Sequence, residues 1–326
     1  MTSVAGLPKV SIITTSYSIE RLGDITELLD SIHAQAYKNI EVLVVTERSQ
    51  ELTNSIEAYI DQKGYSGMRV LYNQGEWGLS AARNLGIKQA SGDILAFVDD
   101  DALLLAGWAE ETAKTYAEDS SIIGVTGPIL PQWERDSMAW FPREFYWIFS
   151  CTYWDWTEPT EVRNGYGTNI SFRREVFNSC GLFKTSLGVK GHGKGGWQGP
   201  GGEETEFSLR ARQQTGKRII YVPDIKVQHK VYGYRLGTRF IAKRAYWEGR
   251  AKAMFNKSYR SSDKAVLSTE HELLHRIFFK LIPNSLKLLF RQPIIALRQF
   301  GVTATVLSCV AAGYLGYQVS TLSARD

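Results

Sequence analysis

A chain of 326 residues, 44% hydrophobic and 22% charged, has the composition of a globular protein, long enough for one large domain or a domain with an appendage, and not that of a disordered chain. Its three cysteines, Cys151, Cys180 and Cys309, show no CxxC and no paired spacing, which excludes a cysteine zinc site and a disulfide framework and suits a reducing compartment. The net charge of +4 hides an asymmetry: residues 226–326 hold 17 Lys/Arg against 5 Asp/Glu, or +12, leaving −8 for residues 1–225.

Residues 1–9 lack a basic stretch followed by an apolar core, so no secretory signal is expected. The β-branched run Val10–Thr15 predicts a first strand, followed by a polar loop over 17–21. Ile25, Leu28, Leu29 and Ile32 then recur at helical spacing. Ile40–Val45 predicts a second strand, Glu51–Gln62 a helix and Met68–Tyr72 a third strand. Strands and helices alternating every 20–30 residues predict an α/β fold with a mostly parallel sheet and crossover helices. In the stretch 73–84, Gly75 and Gly78 precede a helix that starts near Ser80. A helix N-terminus offers N–H groups and a positive dipole end to phosphate, although a Ser-capped glycine loop is the plainer reading of this stretch alone.

Ile94–Val98 is wholly apolar and reads as a buried strand, and it ends in Asp99-Asp100-Asp101. Three carboxylates at a strand exit repel one another, and a hard cation, Mn²⁺ or Mg²⁺, relieves that repulsion. A solvated acidic turn is the alternative. Ligands of open α/β sheets bind beyond the C-terminal strand ends, so the glycine loop and the triplet at one sheet edge favour a metal–diphosphate site. Further along, Trp108–Ala117 predicts a helix and Ile122–Gly127 a strand. The stretch 133–156 is dense in Trp, Phe and Tyr without period, and reads as core packing or as a platform for a sugar or lipid chain. Gly188–Gly202 contains eight glycines in 15 residues. It begins like a phosphate-binding loop, but Gly195 stands where Ser or Thr would bind Mg²⁺ and no strand precedes it, so a mobile lid is the better reading. Glu203, Glu204 and Glu206 follow at a helix start, either as dipole complements or as catalytic groups. Ile219–Val222 predicts another strand.

The ordered motifs Asn73…Gly78-Leu79-Ser80-Ala81-Ala82-Arg83-Asn84 and Gly92-Asp93-Ile94-Leu95-Ala96-Phe97-Val98-Asp99-Asp100-Asp101 resemble the N-terminal half of a family 2 glycosyltransferase. The resemblance covers about residues 8–230. It implies a GT-A fold, a nucleotide-sugar donor (a UDP-sugar foremost), a divalent metal, Mn²⁺ or Mg²⁺, and an inverting single displacement. Donor contacts are implied at Thr15, Tyr17 and Glu20 for base and ribose, at Asn73, Gly78 and Arg83 in the loop, and at Asp99 and Asp100. Asp101 is implied as the main metal ligand with Asp99, and His229, in Val227-Gln228-His229, resembles the family's later His near metal or diphosphate. The family often has an acidic pair after the second strand for the base; Thr46-Glu47 stands there, with Glu47 as the substitute. Glu204 matches the last acid of the family's Gly-Glu-Asp stretch, the catalytic base, with Glu203 second. Residues 163–177 resemble the acceptor-side strand, with Asn169 as an acceptor residue beside Trp197 of the lid.

Pro142-Arg143-Glu144-Phe145-Tyr146-Trp147, the stretch 163–173 and His229-Lys230-Val231-Tyr232-Gly233-Tyr234-Arg235 resemble the branch that includes the archaeal glucosyl-dolichyl-phosphate glucuronosyltransferases. This implies a polyprenyl- or dolichyl-phosphate-linked acceptor and glucuronic acid as a candidate sugar, for whose carboxylate Arg163, Arg173 and Lys194 are candidate partners. A growing-polysaccharide acceptor, a nucleotidyltransferase and a non-catalytic nucleotide- or membrane-binding scaffold are the rivals. The basic tail mixes Lys and Arg with apolar runs rather than lining a polar face, so a membrane is expected and nucleic acid is not. Residues 231–299 read as a basic amphipathic segment. Residues 300–319 are free of charge, just long enough to span a bilayer, and read as a crossing, an interfacial helix or a buried soluble helix. A crossing would place the catalytic domain on the cytoplasmic side.

Overall fold

The computed structural model describes residues 6–189, 201–259 and 268–322. Most of the glycine-rich lid, with Lys194 and Trp197, lies outside the described residues. The chain divides into two compact units, one of Met1–Leu130, Trp154–Gln198 and Glu203–His229, the other of Pro131–Tyr153, Gly199–Gly202 and Lys230–Asp326.

In the first unit β1 (Val10–Ser16), α1 (Leu22–His33), β2 (Ile40–Glu47), α2 (Gln50–Lys63), β3 (Met68–Asn73), α3 (Leu79–Gln89) and β4 (Ile94–Phe97) alternate as the periodicity predicts. They are followed by β5 (Ala102–Leu104), α4 (Trp108–Glu118), β6 (Ile122–Thr126) and β7 (Ile129–Trp133). Next come β8 (Thr160–Val162), β9 (Ile170–Arg173), α5 (Arg174–Cys180), α6 (Glu203–Thr215), β10 (Arg218–Tyr221) and β11 (Val227–Val231). Eight strands form one sheet in the order β3-β2-β1-β4-β9-β6-β10-β8. The pairs β1–β2, β2–β3, β1–β4 and β6–β10 are parallel, while β9 and β8 run antiparallel to their neighbours. β1 is interior to the sheet, and Val10, Ile12 and Ile13 on its two faces are completely buried, as are Ser11 and Thr14, which is why its run shows no alternation of exposed and buried residues. Ile25, Leu28, Leu29 and Ile32 of α1 are buried as their spacing requires. Short β5, β7 and β11 form a second sheet, ordered β5-β11-β7. Strands this short carry too few residues for a period to be read.

One buried carboxylate locks the N-terminal ends of β1, β2 and β4. Glu41 accepts hydrogen bonds from the Ser11 and Ser91 hydroxyls (the latter 2.9 Å), from the Gly92 N–H (3.0 Å) and from the Ser91 N–H. Burial opposes its charge, but the Ser11 and Ser91 bonds and Lys9 prevail and hold its pKa at about 2. Because the folded pKa is depressed, this stabilisation is present above the ordinary Glu value and is lost as pH falls toward 2. Glu41→Gln is therefore expected to lower stability by about 1–3 kcal/mol at pH 7, with the gap to wild type closing between about pH 4.5 and 2, as read by urea denaturation across pH. A gap independent of pH would refute the charge assignment.

The second unit contains α7 (Thr238–Tyr259), α8 (Ser268–Arg276), a π-helical turn (Ile277–Leu281), α9 (Ile282–Leu289) and α10 (Pro293–Leu322). The aromatic stretch resolves mainly into packing here. Phe141, Phe145 and Phe149 are at most 2% exposed, and Trp133 meets Tyr146 and Phe149 edge to face. Beside it, Trp140, Arg143, Leu281, Leu288, Ile295 and Arg298 help to line an open cleft of about 850 Å³.

Candidate active site

The strand order explains where the site lies. β3 and β2 sit on one side of β1 and β4 on the other, so the crossover direction reverses there and the C-terminal ends of β1 and β4 open into a crevice. The chain leaves β4 into that crevice as the acidic triplet, whose carboxylates take different partners. Asp100 accepts from the Ser16 hydroxyl at 2.6 Å, and burial, reinforced by the charge of Asp101, pushes it up to about 7. Asp101 is 4% exposed and pairs with Arg21 at 3.1 Å and with His229 Nε2 at 2.8 Å. Asp99 pairs with Arg83 at 3.0 Å and accepts from the Thr168 hydroxyl at 2.6 Å.

His229 reaches the triplet because β11 pairs with β5, placing His229 opposite Ala102. One ligand atom each from Asp99, Asp101 and His229 lies within 4.8 Å of the others, a spacing one ion could bridge. Two carboxylate oxygens and an imidazole nitrogen fit Mn²⁺ well and Mg²⁺ acceptably. A divalent ion held there would supply positive charge against a leaving diphosphate.

Arg83 is the structural hub. Buried at 2% exposure on α3, it sends one nitrogen to Glu203 at 2.7 Å and the other to Asp99 and the Gly167 carbonyl, both at 3.0 Å. A Cβ on Gly167 would lie 2.7 Å from that guanidinium, so glycine is what permits the approach. Glu203 is thereby held in a buried ion pair at the start of α6. Glu204, turned about 100° around the helix from it, is half-buried.

Several expected donor residues serve the loop itself. The Glu47 carboxylate accepts the Gly78 N–H at 3.0 Å and the Asn73 amide at 3.4 Å, and Asn73 Oδ1 accepts the Gly75 N–H at 3.1 Å. At the first turn of α3 the Leu79 N–H donates to the Val189 carbonyl at 3.3 Å and the Ser80 hydroxyl to the Leu187 carbonyl at 2.8 Å. That turn anchors the segment entering the glycine-rich stretch rather than offering those donors to phosphate. Thr15 is half-buried at the end of β1, and Tyr17 and Glu20 are exposed beyond it. Near the loop, Arg48 lies 4.9 Å over the ring of Trp77, which is 51% exposed.

On the acceptor side, Asn169 is 1% exposed; it accepts from the Trp108 indole at 2.9 Å and donates to the Ile225 carbonyl at 2.8 Å. Its amide positions Trp108 and the turn before β11 and does not reach the surface. Arg173 donates to the carbonyls of Ile122, Tyr116 and Asp119 at 2.6–2.9 Å, and so caps the ends of α4 and β6 instead of waiting for a sugar carboxylate. Arg163 is buried with its Nε on Asn164 at 2.8 Å. Three residues not foreseen belong to the site: Ser16, Arg21 and Thr168. Only Arg21 carried a signal, a lone cation in the loop after a strand bound for the acidic edge.

Comparison with known proteins bears on the family and the fold. Residues 11–181 match the model of glycosyl transferase family 2. The chain is 31% identical over 312 residues to the glucosyl-dolichyl phosphate glucuronosyltransferase of Haloferax volcanii, covering 94% of this chain and 95% of that protein. It is 30% identical over 179 residues to the succinoglycan biosynthesis protein ExoM of Rhizobium meliloti, covering 52% of this chain and 50% of that one. Among solved structures, the mannosyltransferase PcManGT of Pyrobaculum calidifontis, in complex with GDP-Man and Mn²⁺, superimposes with a TM-score of 0.62 at 18% identity, over 97% of this chain and 88% of the other. GalNAc-T7 with UDP, GalNAc and Mn²⁺ gives 0.53 at 18% identity, over 75% and 48%. A mixed α/β sheet with an acidic triplet at its switch point, His229 paired to it and Glu203 bridged to it through Arg83, and these relatives lead to one conclusion: the chain belongs to glycosyl transferase family 2 and is a glycosyltransferase of GT-A fold.

Proposed function

We propose that this glycosyltransferase moves a hexose, glucuronic acid being the first candidate, from a UDP-sugar to a polyprenyl- or dolichyl-phosphate-linked acceptor, with its catalytic unit on the cytoplasmic face of a membrane. The observation that carries this reading is the end-to-end likeness to the Haloferax enzyme, which includes the basic, apolar helices beyond the segment matched by the family model. The cleft of about 850 Å³, where Arg143 and Arg298 stand among Trp140, Leu281, Leu288 and Ile295 and beside Asp136 and Glu144, offers apolar surface and two cations to a lipid phosphate.

In this reading Thr15, Tyr17 and Glu20 hold base and ribose, Asp99 faces the ribose side, and Asp99, Asp101 and His229 hold Mn²⁺ or Mg²⁺. Arg83 fixes Asp99 and Glu203 in place, while Glu47, Asn73 and Gly78 keep the donor loop folded. Glu204 takes the proton from the acceptor hydroxyl as its oxygen attacks the anomeric carbon from the face opposite the diphosphate. One displacement of this kind inverts the anomeric centre.

The test is product release by purified protein with Mn²⁺ and UDP-glucuronate, UDP-glucose, UDP-N-acetylglucosamine or GDP-mannose, with and without a polyprenyl-phosphate sugar. Metal-dependent UDP release that rises with the lipid acceptor, and is lost in Asp101→Ala, is expected. Stimulation by an oligosaccharide instead of the lipid would shift the reading to polysaccharide synthesis, which the likeness to ExoM favours. Pyrophosphate release would make the protein a nucleotidyltransferase.

A further inference from the structure

Among the described residues, α10 is the one helix long and apolar enough to cross a bilayer. Its packing points elsewhere. α7 and α10 meet backbone to backbone at two glycines: a Cβ on Gly249 would lie 2.0 Å from the Val310 carbonyl, and one on Gly313 would lie 2.0 Å from the Tyr246 carbonyl. The Asn256 amide donates to the Tyr314 hydroxyl at 2.9 Å, and Arg250 lies 5.8 Å over the ring of Tyr317. The middle and C-terminal part of the charge-free stretch is thus flush with residues 246–256 of α7. That part of α7 is charged: Glu248 bridges Arg244 at 3.2 Å and Lys252 at 3.0 Å, and Lys252 reaches Glu270 at 2.7 Å. If α10 crossed a bilayer, α7 would have to follow it or the glycine contact would have to open. The first carries a charge network to hydrocarbon depth, and the second leaves a void along two small-residue surfaces.

The other face of α10 is exposed. Ile294, Leu297, Ala304, Ala311 and Leu315 are exposed at near-helical spacing. They run along about 31 Å of helix at 1.5 Å per residue. The preceding helices continue the apolar surface with Phe278, Phe279, Leu286 and Phe290 at 54%, 69%, 51% and 90% exposure. A surface of this extent is far beyond scattered single residues and marks a contact with something apolar. Lys280, Lys287, Arg291 and Arg298 are exposed along the same stretch. Apolar rings with interspersed cations match a bilayer boundary, where side chains enter the acyl region and cations reach phosphate headgroups.

We propose that the second unit docks in the plane of an anionic bilayer through the π-helical turn, α9 and the exposed face of α10, and that α10 lies along the interface without crossing it. This rests on the membrane association proposed above and assigns the surface and the mode. It places the C-terminus on the same side of the membrane as the catalytic unit.

The full chain, tagged at both ends, is mixed with vesicles of phosphatidylcholine alone or with one-fifth phosphatidylglycerol, then floated and treated with protease without detergent. At least tenfold stronger flotation with the anionic vesicles, and removal of both tags from intact vesicles, are expected. The double variant Phe279→Ser/Phe290→Ser should lose at least tenfold in flotation at unchanged melting temperature. A C-terminal tag protected until detergent is added would show a crossing and overturn the proposal. So would equal flotation of the double variant, or a soluble dimer that covers the face and leaves vesicles unbound. UDP release in vesicle-free solution is followed in parallel, so that failure to dock is distinguished from failure of the glycosyltransferase reading.

Discussion

Glu204→Gln is expected to reduce transfer by about 10²–10⁴-fold while leaving fold, metal binding and donor binding in place. The amide keeps the volume and much of the hydrogen bonding of the side chain but cannot take a proton. Glu203→Gln should behave differently. Glu203 is 3% exposed and bound to Arg83 at 2.7 Å, so neutralising it leaves a buried guanidinium short of charge and should lower both stability and turnover. Steady-state kinetics paired with thermal melts separates the two. Near wild-type turnover in folded Glu204→Gln, with loss in Glu203→Gln at unchanged melting temperature, would transfer the base role to Glu203.

Arg83→Lys is expected to cost about 3 kcal/mol of stability and most donor affinity, despite preserving the charge. One guanidinium nitrogen serves Glu203 and the other serves Asp99 and Gly167, a fork that a single ammonium cannot reproduce. Breaking a buried ion pair by removing one partner typically costs about 3–5 kcal/mol, and the lower end applies because the Asp99 side chain is 28% exposed. Urea denaturation gives the stability and titration calorimetry with the donor nucleotide gives the affinity. A loss below about 1 kcal/mol would mean that the two carboxylates do not depend on this bridge.

The amino-acid sequence by itself determined the frame of the first unit. Runs such as 10–15 and 40–45 and the helical repeat of Ile25, Leu28, Leu29 and Ile32 are local periodicities, and each element buries the face its pattern specifies. The acidic triplet was legible for the same reason, since three carboxylates after an apolar strand are a local anomaly. The tertiary structure decided what those carboxylates meet. His229 comes from 128 positions away through the three-residue strand β5, and Glu203 lies 120 positions from Arg83. Neither approach leaves a trace in spacing, because strand pairing between distant segments depends on the whole sheet order. Side-chain polarity also does not say which way a group turns: Glu47 spends its carboxylate on the Gly78 amide, and Asn169 spends its amide on Trp108 and Ile225. For α10 the composition allowed a crossing, an interfacial helix or a buried one. The glycine contact at Gly249 and Gly313 favours the interface, because it brings charged α7 to the same depth, and depth is a property of packed helices and not of one helix's hydropathy.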